Sequence, residues 1–160
     1  MSRKFILSGL VVLGLGLAAC SNEAPSVKPV AQVSAHQIVF TQATTITERQ
    51  WALIAKDPAK HTGETVVIYG KVTQFDSATG TGTFRANVGG KKLPVSYGFV
   101  NYPSNVMISG DVGGLANLVE GDIFRGEVTV TGPYSYETTM GGTMTVPALN
   151  MTGYQVIGHV

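Results

Sequence analysis

Cysteine is nearly absent from this sequence, since Cys20 is the single one among 160 residues. A disulfide needs two cysteines, so a bridge within the chain is excluded. Charge is also scarce: Asp, Glu, Lys and Arg make up 13% of the residues, about half of the usual share. Removing Arg3 and Lys4 from the 11 basic residues leaves 9, against 10 acidic ones. A duplex-binding protein has a basic surface, and a segment that binds anionic lipids is polybasic; this near-neutral balance indicates neither. We therefore expect no nucleic-acid partner.

Motifs for catalysis and metal binding are missing too. The three histidines, His36, His61 and His159, have no second ligand at i+2 or i+4, where common metal motifs place one. The sequence contains no Gly-x-Ser-x-Gly elbow and no phosphate-binding loop, and its acidic residues are dispersed. We predict a protein that is not an enzyme and that uses no metal or cofactor. An envelope hydrolase whose carboxylates converge only after folding is the alternative.

The start of the chain has the order of a secretory signal peptide. Arg3 and Lys4 are followed by an apolar run over residues 5–17 and by small residues. That run is short for a transmembrane helix, which needs about 20 apolar residues. The Leu-Ala-Ala-Cys ending resembles a bacterial lipobox. The resemblance implies cleavage between Ala19 and Cys20, a diacylglycerol on Cys20 and an acyl chain such as palmitate on the new amino group.

Three segments follow from this interpretation. Residues 1–19 are the lipoprotein signal peptide, residues 20–45 are the lipidated cysteine with a flexible linker, and residues 46–160 are the domain. The linker contains Pro25 and Pro29 and shows neither a helical nor an alternating period. The domain has about 115 residues, which is enough for one hydrophobic core. We expect the chain to be exported and anchored at the extracytoplasmic, periplasmic face of a bacterial membrane.

One helix is predicted over residues 48–56. Thr47 and Gln50 have the spacing of a capping box, and Ile46 and Trp51 have the spacing of a hydrophobic staple. The remaining patterns are those of strands, with alternating or β-branched residues between Gly-rich turns. These predicted strands cover residues 65–75, 83–88, 93–100, 106–108, 123–131, 134–140 and 143–157.

This order of elements predicts a mainly β fold. Gly70 and Gly126 lie inside strands, which is typical of bends where a small barrel closes. We expect a five- to six-stranded OB-like Greek-key barrel preceded by one short α-helix, with a small β-sandwich as the alternative. The segments GETVVIYGKV at 63–72, GD at 121–122 and VTVTG at 128–132 carry a resemblance to OB-fold lipoproteins of the bacterial envelope. These belong to the group with tRNA-anticodon-like domains, and the resemblance covers residues 46–157.

The outer face of the early strands is the predicted site. If Val66, Ile68, Gly70 and Val72 point inward, then the outward residues are Tyr69, Lys71, Thr73 and Phe75. The candidate ligand-binding residues are Tyr69, Lys71 and Arg85. OB folds use such a face as a platform, where aromatic and basic side chains bind a sugar, nucleotide or peptide. The simpler interpretation is a solvated face on which Tyr69 and Phe75 pack under the helix that carries Trp51.

The sequence thus predicts a membrane-anchored lipoprotein that acts as a non-catalytic binding module in the cell envelope. Its expected partners are the lipid bilayer, through acylated Cys20, and an envelope protein or polymer. A phage- or prophage-encoded lipoprotein that interferes with receptor use or DNA entry is the alternative, and the neighbouring genes would distinguish the two.

Overall fold

The computed structural model describes residues 43–138 and 140–160. Its elements are β1 (Thr44–Thr45), α1 (Glu48–Lys56), a 3-10 helix (Pro58–His61), β2 (Thr65–Gln74), β3 (Thr83–Gly89), β4 (Ser104–Gly110), α2 (Val112–Leu115), β5 (Asp122–Glu137) and β6 (Thr143–His159). The predictions for the signal peptide, Cys20 and most of the linker lie outside the described residues. In the part that is described, no helix has the length and apolar character needed to cross a membrane.

The last two residues of the predicted linker belong to the sheet. Thr44 and Thr45 form β1, which pairs in parallel with Val66 and Val67 of β2. Ile46, directly after β1, is buried in the core. The folded domain therefore includes residues that the sequence assigned to the linker.

Five strands close into a barrel in the order β2, β3, β4, β6, β5 and back to β2. β2 pairs antiparallel with β3 on one side and with β5 on the other, and β4 pairs in parallel with β6. The neighbours β5, β2, β3 and β4 have the Greek-key order, in which the fourth strand returns beside the first. This confirms the predicted mainly β, OB-like barrel preceded by a short helix. The pairing of β2 with β5 closes the sheet, so the sandwich alternative is wrong.

The barrel interior is filled by the residues that the alternation placed inward. In β2, Val66, Ile68 and Val72 are buried, as predicted. The other strands contribute Phe84, Ala86 and Val88 of β3, Val106 and Ile108 of β4, Phe124, Val128 and Val130 of β5, and Leu149 and Met151 of β6. These apolar side chains supply the main driving force for folding, because their burial removes apolar surface from water.

Helix α1 has the predicted bounds and the predicted cap. The Gln50 amide donates to Thr47 Oγ1 at 3.2 Å, and the Thr47 amide donates to Gln50 Oε1 at 2.8 Å. Trp51 is fully buried, and its Nε1 donates to Ser104 Oγ at 3.0 Å. The helix is therefore joined to the start of β4 both by packing and by a hydrogen bond from its largest side chain.

The predicted strand over residues 93–100 is wrong. This segment is a loop between β3 and β4, and its one ladder contact is a bridge between Ser96 and Phe99. Pro94 has no amide hydrogen to give to a neighbouring strand. The place beside β3 is taken instead by residues 104–110, which form the predicted short strand around Val106.

A bulge in β2 reverses the alternation before the strand ends. Val72 pairs with Ala86, whereas Gln74 pairs with Arg85, so Thr73 is the extra residue. Gln74 thereby takes an outward place. Phe75 packs against the core with its ring centroid 5.5 Å from that of Phe84. The predicted outward orientation of Phe75 is wrong, because one extra residue moves the following side chains to the other face.

Candidate functional site

The last hairpin extends beyond the barrel. After a register shift between Val130 and Gly132, and beyond Ala148, which still pairs with Met107 of β4, β5 and β6 continue as a two-stranded ribbon, here called the arm (residues 133–138 and 140–147). Tyr134 pairs with Val146 and Tyr136 with Met144, so the two tyrosines share one face of the arm. The sequence predicted this hairpin, but its contact with β3 becomes visible only in the fold.

Arg85 is the residue of β3 that the arm reaches. It lies on the outer face of the barrel, between Gln74 of β2 and Met107 of β4. Its guanidinium donates a hydrogen bond to the Tyr136 hydroxyl, and its Cζ lies 4.7 Å from the centroid of the Tyr136 ring. A cation over an aromatic ring is worth about 0.5–2 kcal/mol, more where water is excluded. Arg85 Nε is buried and has no hydrogen-bond partner among the described residues.

A row of hydrogen bonds continues from Arg85 in both directions. On one side, Gln74 Oε1 accepts from Arg85 at 3.5 Å, and Gln74 Nε2 donates to Asp76 Oδ2 at 3.2 Å. On the other side, the Tyr136 hydroxyl donates to Met144 Sδ at 3.1 Å. The row thus links the β2–β3 turn to the arm across the outer face of the barrel. We call Gln74, Arg85, Tyr134, Tyr136 and Met144 the Arg85 cluster.

The cluster presents aromatic surface to solvent. The rings of Tyr134 and Tyr136 lie 6.3 Å apart between centroids, with an angle of 30° between their planes. Tyr134 is 44% exposed, whereas Tyr136 is half-buried between its neighbour and Arg85. The cluster therefore combines an accessible ring with a positively charged group.

Two amides continue the same outer face along β3 and β4. Asn87 and Asn105 stand opposite each other in the ladder, and Asn105 Nδ2 donates to Asn87 Oδ1 at 3.3 Å. Asn105 Oδ1 is buried without a partner in the part of the chain that is described. Buried polar atoms are normally paired, so this face has hydrogen-bonding capacity that the described protein groups do not use.

The three predicted ligand-binding residues are divided between two places. Arg85 is in the cluster, and Lys71 pairs with Asn87 and so adjoins the amide pair. Tyr69 pairs with Gly89, four strand positions from Arg85, which is about 13 Å along the strand. The cluster residues that the sequence did not indicate are Gln74, Tyr134, Tyr136 and Met144. The Tyr-x-Tyr spacing was visible, but the partner of Tyr136 is 51 residues away in the chain.

A concavity lies between α1 and the start of β2, apart from the Arg85 cluster. It has a volume of about 400 Å³ and is lined by Thr44, Ile46, Gln50, Leu53, Ile54, His61, Glu64, Thr65 and Val66. Its one polar contact between titratable groups is His61 Nδ1 to Glu64 Oε1, at 2.9 Å. Nowhere in residues 43–138 and 140–160 do three or more His, Cys, Asp or Glu side chains form a group that could hold a metal ion.

No family model and no curated protein matches this chain. Two crystal structures of mitochondrial single-stranded DNA-binding proteins from S. cerevisiae, Rim1, are similar to it, one of them selenomethionine-labelled. They share 14% and 15% sequence identity with this chain, each with a TM-score of 0.34. The matches cover 61% of this chain and 97% and 98% of the yeast chains. At this level the likeness concerns the fold alone.

These neighbours contradict one expectation from the sequence. The near-neutral charge led us to expect no nucleic-acid partner, yet both similar structures are single-stranded DNA-binding proteins. Single strands bind through aromatic stacking and a local basic groove, neither of which the charge of a whole chain measures. The expectation is therefore corrected, and nucleic acid is not excluded as a partner.

Proposed function

We propose that this protein is a lipid-anchored, non-catalytic binding module of the bacterial envelope whose ligand binds at the Arg85 cluster. The observation that carries the proposal is the row of hydrogen bonds from Asp76 through Gln74, Arg85 and Tyr136 to Met144. It holds a guanidinium and a pair of aromatic rings in place on an outer barrel face. The anchor part of the proposal rests on the lipobox-like residues 17–20 of the sequence.

The side chains define the chemistry of the ligand. The exposed ring of Tyr134 suits stacking, which contributes about 1–3 kcal/mol per stacked base in single-strand complexes. The Arg85 guanidinium suits an anionic or hydroxyl group, and Asn87 and Asn105 provide amide donors and acceptors nearby. A ligand with ring-shaped units joined by polar or charged groups, such as a glycan or a single-stranded oligonucleotide, fits this combination.

The lipid anchor determines on which side of the membrane the protein binds such a ligand. A lipid-modified Cys20 holds the chain at the membrane, and two or more acyl chains make this binding stable. The linker between Cys20 and the domain lets the domain reach ligands at some distance from the bilayer. The ligand is therefore expected on the extracytoplasmic side of the membrane.

Site-specific photocrosslinking in cells tests the binding face. Benzoylphenylalanine replaces Tyr134 in the full chain, which keeps an aromatic ring at this exposed position. We expect crosslinked products that are reduced at least fivefold by Arg85→Ala and unchanged by Arg49→Ala, a matched loss of an exposed arginine on α1. The same probe at Leu53, which is exposed on α1, serves as the control position. Equal crosslinking yields with and without the Arg85→Ala substitution would refute this site.

Two further measurements separate the parts of the proposal. Labelling of growing cells with an alkyne fatty acid is expected to mark the protein and to be abolished by Cys20→Ser. Titration of the purified protein with oligothymidylate and, separately, with a soluble glycan strand identifies the ligand class. The anchor proposal fails if the fatty acid is not incorporated, whatever the crosslinking shows.

A further inference from the structure

The loop between β3 and β4 presents apolar side chains to solvent. Val95, Tyr97 and Phe99 are 49%, 97% and 75% exposed. We call residues 95–99 the tip. Single exposed apolar residues are common on protein surfaces, whereas three within five positions on one turn make a local apolar surface.

The tip is an ordered turn. The Ser96 amide donates to the Phe99 carbonyl and the Phe99 amide to the Ser96 carbonyl, both at 2.9 Å. Between them, Tyr97 has φ of +50° and Gly98 has φ of +77°, the backbone of a type I′ turn. Positive φ is unfavourable for a tyrosine, so the backbone at Tyr97 is strained in the conformation that exposes its ring to water.

The base of the loop is fixed at the beginning of α1. The Gly90 amide donates to Glu48 Oε2 at 3.0 Å, and a Cβ on Gly90 would lie 2.5 Å from the Thr47 carbonyl oxygen. The Leu93 amide donates to the hydroxyl of buried Tyr102 at 3.4 Å. Thr47 is four positions after Ala43, where the described chain begins. The loop therefore starts beside Thr47 and Glu48, close in sequence to the first described residue.

Two exposed lysines, Lys91 and Lys92, stand between this base and the tip. The loop sequence from Gly90 to Pro103 contains no acidic residue. Basic residues beside exposed aromatic and apolar side chains are typical of segments that lie in the headgroup region of a membrane. Tyrosine is well suited to this region because its ring is apolar and its hydroxyl is polar.

We propose that the tip inserts Val95, Tyr97 and Phe99 into the interfacial layer of the membrane, with Lys91 and Lys92 against anionic headgroups. This inference rests on the proposed function, because the anchor at Cys20 keeps the domain close to the bilayer. A second contact fixes the orientation of the domain relative to the bilayer, which a lipid anchor alone does not define. The lipid surface is favoured over a protein partner by the lysine pair and by the contact of the loop base with Thr47 and Glu48, near the first described residue.

Depth-dependent quenching tests the proposal with full-length protein purified from cells and reconstituted into vesicles of phosphatidylcholine and phosphatidylglycerol, 7:3. The probe is Tyr97→Trp, and lipids brominated on their acyl chains are the quencher. The protein without the Tyr97→Trp substitution gives the background emission from Trp51, which is fully buried. Val112→Trp is the matched control, because Val112 is 53% exposed just beyond the other end of β4.

We expect brominated lipid to quench the added emission of Tyr97→Trp at least threefold more than that of Val112→Trp. Val95→Ser with Phe99→Ser, two exposed positions, is expected to remove most of this difference without lowering the melting temperature. Equal quenching of the two probes overturns the proposal. A second result would also overturn it. If the added emission of Tyr97→Trp changes with protein concentration in the absence of lipid, the tip contacts a second copy of the chain.

Mass spectrometry of the Cys20 peptide separates failure of the anchor from failure of the tip. Lipidated Cys20 without quenching of the Tyr97→Trp probe overturns the tip proposal and leaves the anchor intact. Unmodified Cys20 with this probe still quenched by added vesicles supports the tip and refutes the anchor. Unmodified Cys20 without quenching refutes both.

Discussion

At Gly70, β2 lies so close to β3 that no side chain fits. A Cβ would stand 2.6 Å from Val88 Cγ1 and 2.7 Å from the Asn87 carbonyl oxygen. The backbone oxygen cannot move without disturbing the ladder, so Gly70→Ala is expected to lower the free energy of unfolding by about 3 kcal/mol. Urea denaturation followed by Trp51 fluorescence measures this. Gly114→Ala is the control, because its Cβ would be 3.7 Å from the nearest side-chain atom. Equal midpoints for the two variants would contradict the close approach.

Asp76 organises the turn beside the Arg85 cluster through hydrogen bonds. The Ala78 amide, the Gln74 side chain and the Thr79 amide lower the pKa of this carboxyl below its ordinary value of 3.8, the Ala78 bond having the largest effect. Because the folded pKa is the lower one, this stabilisation is complete above the ordinary value and is lost as pH falls through the folded value.

Carboxyl NMR titration is therefore expected to give Asp76 a pKa below 3.8. Asp57 provides a comparison, because contact with the Lys60 ammonium lowers its pKa, and this ion pair is exposed. Salt screens exposed charges, so about 0.5 M NaCl should move the Asp57 pKa back towards its ordinary value more than that of Asp76. An Asp76 pKa at or above 3.8 would show that the turn is not held by the carboxylate in solution.

At the scale of elements, the arm is the part of the sheet whose position depends on a few contacts. The Tyr136 hydroxyl accepts a hydrogen bond from Arg85 and donates one to Met144 Sδ. The Tyr136 ring lies under the Arg85 guanidinium. Tyr136→Phe removes the hydroxyl, and Tyr136→Ala removes the ring as well. We expect amide exchange in the arm to rise about tenfold in the alanine variant and less in the phenylalanine variant, with the barrel strands unchanged.

Ser135→Ala is the matched control for this exchange experiment. The Ser135 hydroxyl contacts Thr145 Oγ1 at 2.7 Å, one position away from Tyr136 and hence on the other face of the arm. Its removal leaves the contact with Arg85 intact. If Ser135→Ala raised exchange as much as Tyr136→Ala, the arm would be held by its own pairing and not by docking on β3.

At the scale of the whole molecule, closure of the barrel joins distant parts of the chain. The hydroxyls of Thr65 and Thr129 lie 3.0 Å apart across the β2–β5 ladder, although 64 residues separate them. Barrels dominated by such contacts fold in milliseconds to seconds, because a long loop must close before they form. We expect this range in stopped-flow refolding, monitored by Trp51, which is buried in the native state. Complete refolding in under about 100 µs would contradict closure as the slow step.

Local patterns were sufficient for much of the fold. The bounds of α1 and its capping box follow from residues within one helical turn, and the inward positions of β2 and β3 follow from a period of two. The number of strands and the glycines inside strands, Gly70 and Gly126, favoured a small barrel, and the strand pairing confirms it. These features depend on neighbours in the sequence, which is why they can be read from it.

What the sequence determined by itself was therefore most of the elements, the faces that β3 and β2 as far as Val72 bury, and the mainly β class. Only the tertiary structure decided the rest. The bulge at Thr73 turned Phe75 into the core, and the loop around Pro94 replaced a predicted strand with the exposed tip. The arm contacts Arg85 through Tyr136. The register of β2 and β3 places Tyr69 opposite Gly89, away from Arg85, so the predicted site is divided. The physical reason is the same in each case: these outcomes depend on contacts between residues far apart in the chain, and such contacts leave no period in the local sequence.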